Sequence, residues 1–251
     1  MSLLSVAIIT FNEEKNIERC LQSVVNVANE IVVVDSNSTD KTKTICEKFN
    51  VKWISQEFLG YIEQKNFALA QTSNVYVLSL DADEALSDEL AKSIVQEKES
   101  GFPGDAYTMN RRSWYCDRWI RHGSWYPDRK LRLLNKEKGI WAGTNPHDKL
   151  EVNNGSVVKQ LDGDILHYTY YSIEEHIAQG NKFSTIAAKA LYDQHKRSSW
   201  FKIILNPLYA FISSYFLKAG FLDGFYGFVI ARQTAYQTFL KYVKLKQLEK
   251  K

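Results

Sequence analysis

Apolar runs of strand length alternate with segments of helical apolar spacing through the first hundred residues. "SVAIIT" (Ser5–Thr10) is followed by a segment that places Ile17, Leu21, Val24 and Val25 on one helical face, with Asn12 as a candidate cap. An unbroken apolar run is typical of a strand buried on both faces of a parallel sheet. The alternation therefore predicts a doubly wound, mainly parallel α/β sheet.

The same alternation continues to residue 100. It predicts strands at Ile31–Val34, 51–55 and Val75–Leu80, a helix opening near Asp40, and helices at Tyr61–Ala70 and Ser87–Glu99. Asp35 and Asp81 to Asp83 follow two of these strands, at the end where ligands bind in such sheets. The sequence thus predicts that these carboxylates lie at a ligand-binding edge rather than in the core.

The pattern changes after Gly101. Short strands are predicted at Ala106–Arg111, Lys130–Leu134 and Lys149–Val152, and a long helix from Ser172 to about Lys196. Asp162-Gly163-Asp164 is interpreted as a hairpin turn, because Asp-Gly favours one.

The carboxyl-terminal tail is apolar and basic. Ile203–Leu217 contains fifteen residues without a charge, which is short of the ~20 that cross a bilayer. Pro207 and three later glycines predict broken helices, either lying in a membrane interface or packed on the catalytic domain. The net charge is +3, of which Lys189–Lys251 carries +8 and the first 188 residues −5. We therefore expect an anionic membrane surface as partner and no nucleic acid.

Three cysteines, Cys20, Cys46 and Cys116, form no close pair in the sequence. Neither a disulfide framework nor a cysteine zinc site is indicated. The amino terminus lacks the basic region of a signal peptide. We expect a cytoplasmic, reducing compartment, at the inner face of the cell membrane if the tail binds lipid.

Asp81 and Asp83 form an Asp-x-Asp pair directly after a predicted buried strand. Such a pair can hold Mg²⁺ or Mn²⁺ and bridge it to a diphosphate, or one carboxylate can bind a ribose instead. Neither G-x-G-x-x-G after the first strand nor G-x-x-x-x-G-K-[ST] is present, which disfavours dehydrogenases and P-loop enzymes. A diphosphate would then be neutralised by the metal and by cations such as Lys65.

These segments together resemble a known family. "VAIITFNEEKNIERCLQSV", "IVVVDSNSTDKT", "EQKNFAL" and "VLSLDADEAL" resemble, in order and spacing, the nucleotide-sugar-binding half of family-two inverting glycosyltransferases of the GT-A fold. "HGSWYPDRKLRLL", "GTNPHDKLEV", "ILHYTYYS" and "GFLDGFYGFVIA" resemble the bacterial subgroup near the lipopolysaccharide-core β-glucosyltransferases. The resemblance implies a nucleotide-sugar half at 1–100, an acceptor half at 101–198 and a helical tail at 199–251.

The resemblance also implies roles for individual residues of the donor half. Thr10, Asn12 and Glu13 would close the first loop around the nucleotide, and Asp35 would contact the base or its sugar. Lys65 would lie near the nucleobase and the diphosphate of the donor. Asp81 and Asp83 would be the metal and ribose carboxylates, with Asp83 binding the metal directly and Asp81 a candidate both for the metal and for the nucleotide. His167 would be either a further metal ligand or a structural residue.

In the acceptor half, the resemblance implies that Asp148 is the base. The subgroup more often has Glu at this place, so the reach is one methylene shorter and His147 is a rival. Arg132 and the aromatics between Trp114 and Tyr126, Trp125 and Tyr126 among them, would contact the acceptor.

The function expected from the resemblance is metal-dependent, inverting transfer from a nucleotide-diphosphate sugar, a UDP-hexose, to a hydroxyl of a glycan or glycolipid. Lipopolysaccharide or cell-envelope polysaccharide synthesis is the expected setting. A sugar-phosphate nucleotidyltransferase is the enzymatic alternative, but "TFNEEKN" lacks the Gly- and Arg-rich loop it would need. A non-catalytic membrane adaptor would leave Asp81, Asp83 and Asp148 unexplained.

Overall fold

The computed structural model describes residues 2–144 and 147–250, and the chain divides into two compact units. The first comprises the described residues of Met1–Arg111 and Asp128–Tyr168, and the second Arg112–Pro127 with those of Thr169–Lys251. The strands are β1 (Leu4–Thr10), β2 (Glu30–Asp35), β3 (Lys52–Ser55), β4 (Tyr76–Asp81), β5 (Glu84–Leu86), β6 (Ala106–Tyr115), β7 (Arg118–Trp119), β8 (Asp128–Asn135), β9 (Gly139–Thr144), β10 (His147–Val152) and β11 (Val158–Tyr170). The helices are α1 (Ile17–Val24), α2 (Thr42–Cys46), α3 (Tyr61–Ala70), α4 (Asp88–Glu99), α5 (Ile173–Asp193), α6 (Trp200–Ile212) and α7 (Gly224–Leu248).

A single large sheet carries the first unit, in the order β3-β2-β1-β4-β8-β6-β11-β5. Its first four strands are parallel, and β8 joins β4 antiparallel. The strands β9 and β10 form a separate antiparallel hairpin. The doubly wound α/β sheet predicted from the sequence is confirmed, with an antiparallel part contributed by the strands after residue 100.

Apolar layers cover both faces of the parallel strands. Along β1, Val6 and Ile8 belong to the cluster that packs on α1 and α4, whereas Ala7 belongs to the cluster on the α3 side. Alternate side chains of a strand point to opposite faces, so a strand covered on both sides is apolar throughout. This packing explains the unbroken runs of the sequence.

The predicted helix cap at Asn12 and the predicted hairpin turn at Asp162-Gly163-Asp164 were both wrong. The residue that precedes α1 is Asn16 rather than Asn12, which sits in the preceding loop with φ 54°. Asp162-Gly163-Asp164 lies within β11 and is not a hairpin turn. A Cβ on Gly163 would come 2.3 Å from the Leu90 nitrogen at the start of α4, so close helix packing accounts for this glycine.

The second unit is largely helical. Tyr115, Ile120 and Ile230 form its buried core, with the partly buried Trp125 and Tyr170 packed against them. Pro207 lies inside α6 and does not end it, contrary to the prediction. The break comes after Leu217, where Ala219 adopts a left-handed conformation with φ 55°. Within the described residues, every helix is too short or too polar to cross a membrane.

Candidate active site

The carboxyl ends of three parallel strands bring the predicted donor-side residues together. Thr10 at the end of β1 pairs in register with Asp35 at the end of β2, and Ile9 pairs with Asp81 at the end of β4. Thr10 and Asp35 are buried. Thr10, Asp35 and Asp81 therefore lie side by side at the edge where ligands bind in open α/β sheets.

Hydrogen bonds tie the loop after β1 to the loop after β2. The Asn12 nitrogen donates to Ser38 Oγ at 2.8 Å, and Asn12 Oδ1 accepts from the Thr39 nitrogen at 2.8 Å. Asp35 Oδ2 accepts from the Ser38 nitrogen at 2.9 Å. The two loops thus form one continuous wall, and the Asp35 carboxylate helps to hold it.

Glu13 lies beside this wall in an environment that disfavours its charge. Burial raises the pKa of Glu13 to about 7, with a hydrogen bond from Asn16 opposing the change and repulsion from Asp83, Asp40 and Asp81 adding to it. A carboxyl group in this condition can exchange a proton near neutral pH.

Lys65 connects two carboxylates that are far apart in sequence. Its Nζ lies 2.8 Å from Asp148 Oδ2 and 3.1 Å from Asp81 Oδ1, and only 5% of the side chain is exposed. The same ammonium lies 4.3 Å from the centroid of the Trp141 ring. The contact joins α3, the end of β4 and the β10 strand at one point.

Arg132 supplies a second buried cation to the acidic cluster after β4. Its Nη2 lies 2.9 Å from Glu84 Oε1 and 3.3 Å from Asp81 Oδ2, and the Glu84 side chain has 0% exposure. Arg111 Nη1 approaches Glu84 at 3.5 Å. The positive charge that faces this cluster therefore comes in large part from side chains. Arg132 was predicted to contact the acceptor, and its ion pairs with Glu84 and Asp81 were not foreseen.

These pairs shift the pKa values of both partners. Burial acts to raise the pKa of Asp81, but Lys65 and Arg132 outweigh it and hold that pKa well below its usual range. Burial acts to lower the pKa of Arg132, but Glu84 and Asp81 more than offset it, so the guanidinium stays charged. Asp81 is therefore an anion in this site.

Asp83 and His167 form a pair suited to a cation. Asp83 Oδ2 lies 3.1 Å from His167 Nε2, and the Tyr168 nitrogen donates to the Asp83 carbonyl oxygen at 2.9 Å. Among the described residues, no group of three or more His, Cys, Asp and Glu side chains is arranged to hold a metal. The Asp83 carboxylate is the kind of oxygen ligand through which Mg²⁺ or Mn²⁺ binds alongside phosphate and water, whereas the adjacent imidazole nitrogen suits Mn²⁺ better than Mg²⁺.

The two candidate bases lie on β10, which begins at His147, two residues before the strand predicted at Lys149–Val152. Asp148 pairs in register with Gly143 and His147 with Thr144, but the His147 side chain lies outside the described residues. Asp148, Asp81, Lys65 and Arg132 all line one cavity of about 420 Å³ in the first unit. The structure brings these four predicted residues together.

Two predicted acceptor residues belong to the second unit. Trp125 packs edge to face on Tyr115 and His176, with ring centroids 5.5 Å and 5.2 Å apart. Tyr126 lies under the Arg112 guanidinium at 5.7 Å. The Trp125 contacts are those of an aromatic residue packed against the core of the second unit.

Trp141, Glu84 and Arg111 lie in this site, although no role was predicted for them from the sequence. Glu84 carried a signal, since an acidic residue directly after a buried strand and next to two aspartates needs a partner. No sequence pattern indicated a role for Trp141, because its contact with Lys65 depends on how the β9–β10 hairpin folds over α3.

Comparison with known proteins decides the family. The model of Glycosyl transferase family 2 matches residues 5–154, more than half of the chain. The chain belongs to glycosyl transferase family 2. An uncharacterised glycosyltransferase of Rickettsia bellii is 34% identical over 98% of this chain and 86% of its own length. The lipopolysaccharide core biosynthesis glycosyltransferase LpsC of Rhizobium meliloti is 29% identical over 97% of this chain and 92% of its own.

Two solved structures align with parts of the chain. S. aureus TarS aligns with a TM-score of 0.48 at 17% identity, over 74% of this chain and 39% of that one. Glucosyl-3-phosphoglycerate synthase from Mycobacterium tuberculosis aligns with a TM-score of 0.39 at 23% identity, over 44% of each chain. These low scores add nothing to the assignment by sequence. With the family known, the predicted fold class is confirmed as GT-A-like mixed α/β with a helical carboxyl-terminal region.

Proposed function

We propose that this chain transfers a hexose from a nucleotide-diphosphate sugar, UDP-hexose as the first candidate, to a hydroxyl of a glycan or glycolipid. The observation that carries the proposal is the Lys65 bridge, which holds Asp148 of β10 against Asp81 at the end of β4. A general base next to the nucleotide edge of the sheet is what a displacement between donor and acceptor needs.

The proposed reaction is a single displacement that inverts the anomeric carbon. The acceptor oxygen forms a bond to the anomeric carbon while the bond between that carbon and the diphosphate oxygen breaks. The nucleoside diphosphate leaves with the electron pair. Asp148 takes the proton from the acceptor hydroxyl as the new bond forms. Lys65 fixes Asp148 Oδ2 and so orients the carboxylate in the cavity that it lines.

Asp83 and His167 are the proposed ligands of Mg²⁺ or Mn²⁺, and Asp81, already paired with Lys65 and Arg132, is proposed to face the ribose. A bound divalent ion would stabilise the negative charge of the departing diphosphate. Lys65 is placed to add to this stabilisation, since its ammonium lies between the two halves of the site.

The division into a donor half (1–100), an acceptor half (101–198) and a tail (199–251) is part of the proposal. Thr10, Asn12, Glu13 and Asp35 are proposed to bind the nucleotide, since they lie along the edge of the donor half. Similarity to LpsC over nearly the whole chain supports a glycan of the lipopolysaccharide or cell envelope as acceptor.

Replacement of the base tests the proposal. Asp148→Asn keeps the volume and loses the basicity, so it should lower kcat by ~10²–10⁴-fold while nucleotide-sugar affinity changes little. Glu151→Gln is the matched control and should turn over normally, since Glu151 lies on the same strand and its ion pair among the described residues is with Lys149. Normal turnover of Asp148→Asn with a dead His147→Ala variant would transfer the role of base to the histidine.

Removal of the metal tests the second part. Asp83→Asn should abolish transfer and leave the fold intact, and a chelator should have the same effect on the wild type. Binding of Mn²⁺, followed by its paramagnetic resonance signal, should weaken in Asp83→Asn and in His167→Ala. Full activity in the presence of EDTA would rule out the metal.

We further propose that the tail binds an anionic membrane surface from the cytoplasmic side. The exposed large apolar residues of α6 recur at helical spacing on one face, as Trp200, Phe201, Ile204, Leu205, Leu208, Tyr209 and Ile212. An apolar helix face with aromatic residues and nearby lysines is typical of helices that lie in a membrane interface.

A further inference from the structure

The cavity beside Asp148 has a strongly cationic lining. Two of its lining side chains are acidic, Asp81 and Asp148. Six are basic: Lys65, Arg111, Arg129, Lys130, Arg132 and Lys149. Such a concentration of like charge in one concave site attracts an anion.

Five of these six cations lie within ion-pair distance of a carboxylate, and among the described residues Arg129 has no such partner. Arg111 and Lys130 each lie 2.9 Å from Asp128. Arg129 is exposed on the same strand, and no carboxylate of the described residues lies within ion-pair distance of it. Arg129 therefore keeps its five donors for a ligand.

Arg132 also has unused donors. On β6, Tyr107 pairs with Leu133 of β8, and the next residue, Thr108, pairs with Leu131. Arg132 is skipped in this pairing and is therefore the extra residue of a β-bulge. Bulges often re-aim a side chain next to an active site. Arg132 is 4% exposed, and its Nε and Nη1 find no acceptor among the described residues. Buried donors without an acceptor are costly unless a ligand completes them.

We infer that this cavity binds an oxyanion of the acceptor, a phosphate or a carboxylate close to the hydroxyl that is glycosylated. The inference rests on the proposed function and deepens it by naming the substrate class. Arg111, Arg129, Lys130 and Arg132 come from β6 and β8, in the segment proposed to bind the acceptor. Asp148, the proposed base, lines the same cavity, so an anion bound here sits beside the reacting hydroxyl.

The geometry of arginine suits this class of ligand. Its planar fork donates two parallel hydrogen bonds to a carboxylate or phosphate, and these charge-assisted bonds are stronger than those between neutral groups. A neutral sugar would offer no anion to Arg129 or to the unused Nε and Nη1 donors of Arg132. The acceptor should therefore be an acidic sugar or a phosphorylated one.

Calorimetric titration with matched probes tests the inference. Glucose 6-phosphate, glucuronate and glucose are each added to the full chain in saturating UDP, at constant ionic strength. At least one anionic probe should bind, glucose should bind at least about tenfold more weakly, and the stronger of the two anions identifies phosphate or carboxylate. The double variant Arg129→Gln/Lys130→Gln should weaken the anion by about tenfold or more.

The matched control removes two charges elsewhere. Lys48→Gln/Lys92→Gln takes away two exposed lysines outside the cavity and should bind the anionic probe as the wild type does. Equal binding of glucose and both anions would overturn the inference, and so would equal loss of anion binding in the two double variants. Displacement of UDP by the anion would overturn it as well, since the cavity would then be the donor site. Failure of the wild type to bind UDP at all would instead count against the proposed function.

Discussion

Glu13 shows how one residue can report on the charge of the whole site. It lies where the loop after β1 meets the acidic end of β4, and its hydrogen bond to Asn16 does not compensate for its burial. The folded protein therefore holds a proton on Glu13 at pH values where the unfolded chain has lost it. Stability and site charge are linked through this proton.

The sign of the resulting pH dependence follows from the raised pKa. The protonated carboxyl contributes stability that is fully present below the unfolded pKa of 4.5 and is lost as the pH rises through about 7. Glu13→Gln is neutral throughout, so it should flatten the decline in the free energy of unfolding between pH 5 and 7.5 by about 2 kcal/mol. Urea unfolding at fixed ionic strength in a chelating buffer measures the free energy of unfolding at each pH. Glu137→Gln, an exposed control, should keep the decline, and an unchanged profile in Glu13→Gln would mean that the carboxyl is already ionised.

At the residue scale, the sequence located some partners and missed others for physical reasons. Asp35 and Asp81 could be placed at one edge, because parallel strands in a wound sheet end on the same side. The Lys65–Asp148 pair joins residues 83 positions apart in the chain. That contact depends on the path of the β9–β10 hairpin, which hydrophobic spacing does not encode.

At the scale of elements, Gly163 shows why the tight packing of β11 on α4 was not foreseen. Asp-Gly is common in turns, and local sequence alone favoured that interpretation. The structure needs glycine here for two separate reasons: a φ of +91° and an approach to the Leu90 backbone that leaves no room for a Cβ. Long-range packing has overridden the local preference.

A pair of glycine variants separates the two reasons. Gly155 has a similar φ of +85°, but nothing lies within 4 Å of where its Cβ would be. Gly155→Ala should cost about 1–2 kcal/mol of unfolding free energy from backbone strain alone. Gly163→Ala should cost clearly more, because the first turn of α4 must move as well. Urea unfolding of both variants measures the difference, and equal losses would show that the close approach is relieved without cost.

The elements that were predicted share one property. β1, β2 and β4 are long enough to show an unbroken apolar run, and nearly all of their residues are buried. β5 and β7, with three and two residues, are too short to show a pattern. Their pairing is decided by the strands beside them.

At the scale of the whole molecule, charge and exposed apolar surface both concentrate in the tail. The segment Lys189–Lys251, which includes the tail, carries +8. The exposed fractions of Trp200 and Phe201 reach 75% and 77%. Exposed apolar residues are common singly, but a continuous helix face of them indicates a binding surface. The sequence predicted the charge and the apolar run; the exposure of that face required the structure.

Liposome co-sedimentation tests whether that surface binds lipid, since charge and apolar area should act separately. Lys202→Gln/Lys218→Gln should weaken binding to anionic vesicles by about fivefold per charge at low salt and leave neutral vesicles unaffected. Phe201→Ser/Leu205→Ser should weaken binding to both kinds, because it removes apolar area from the α6 face. Phe58→Ser/Leu59→Ser, a matched pair of exposed residues in the first unit, should bind like the wild type.

If the wild type sediments with neither kind of vesicle, the α6 face does not bind lipid. If salt leaves anionic binding unchanged, the lysines have no part in it and the docking is purely hydrophobic.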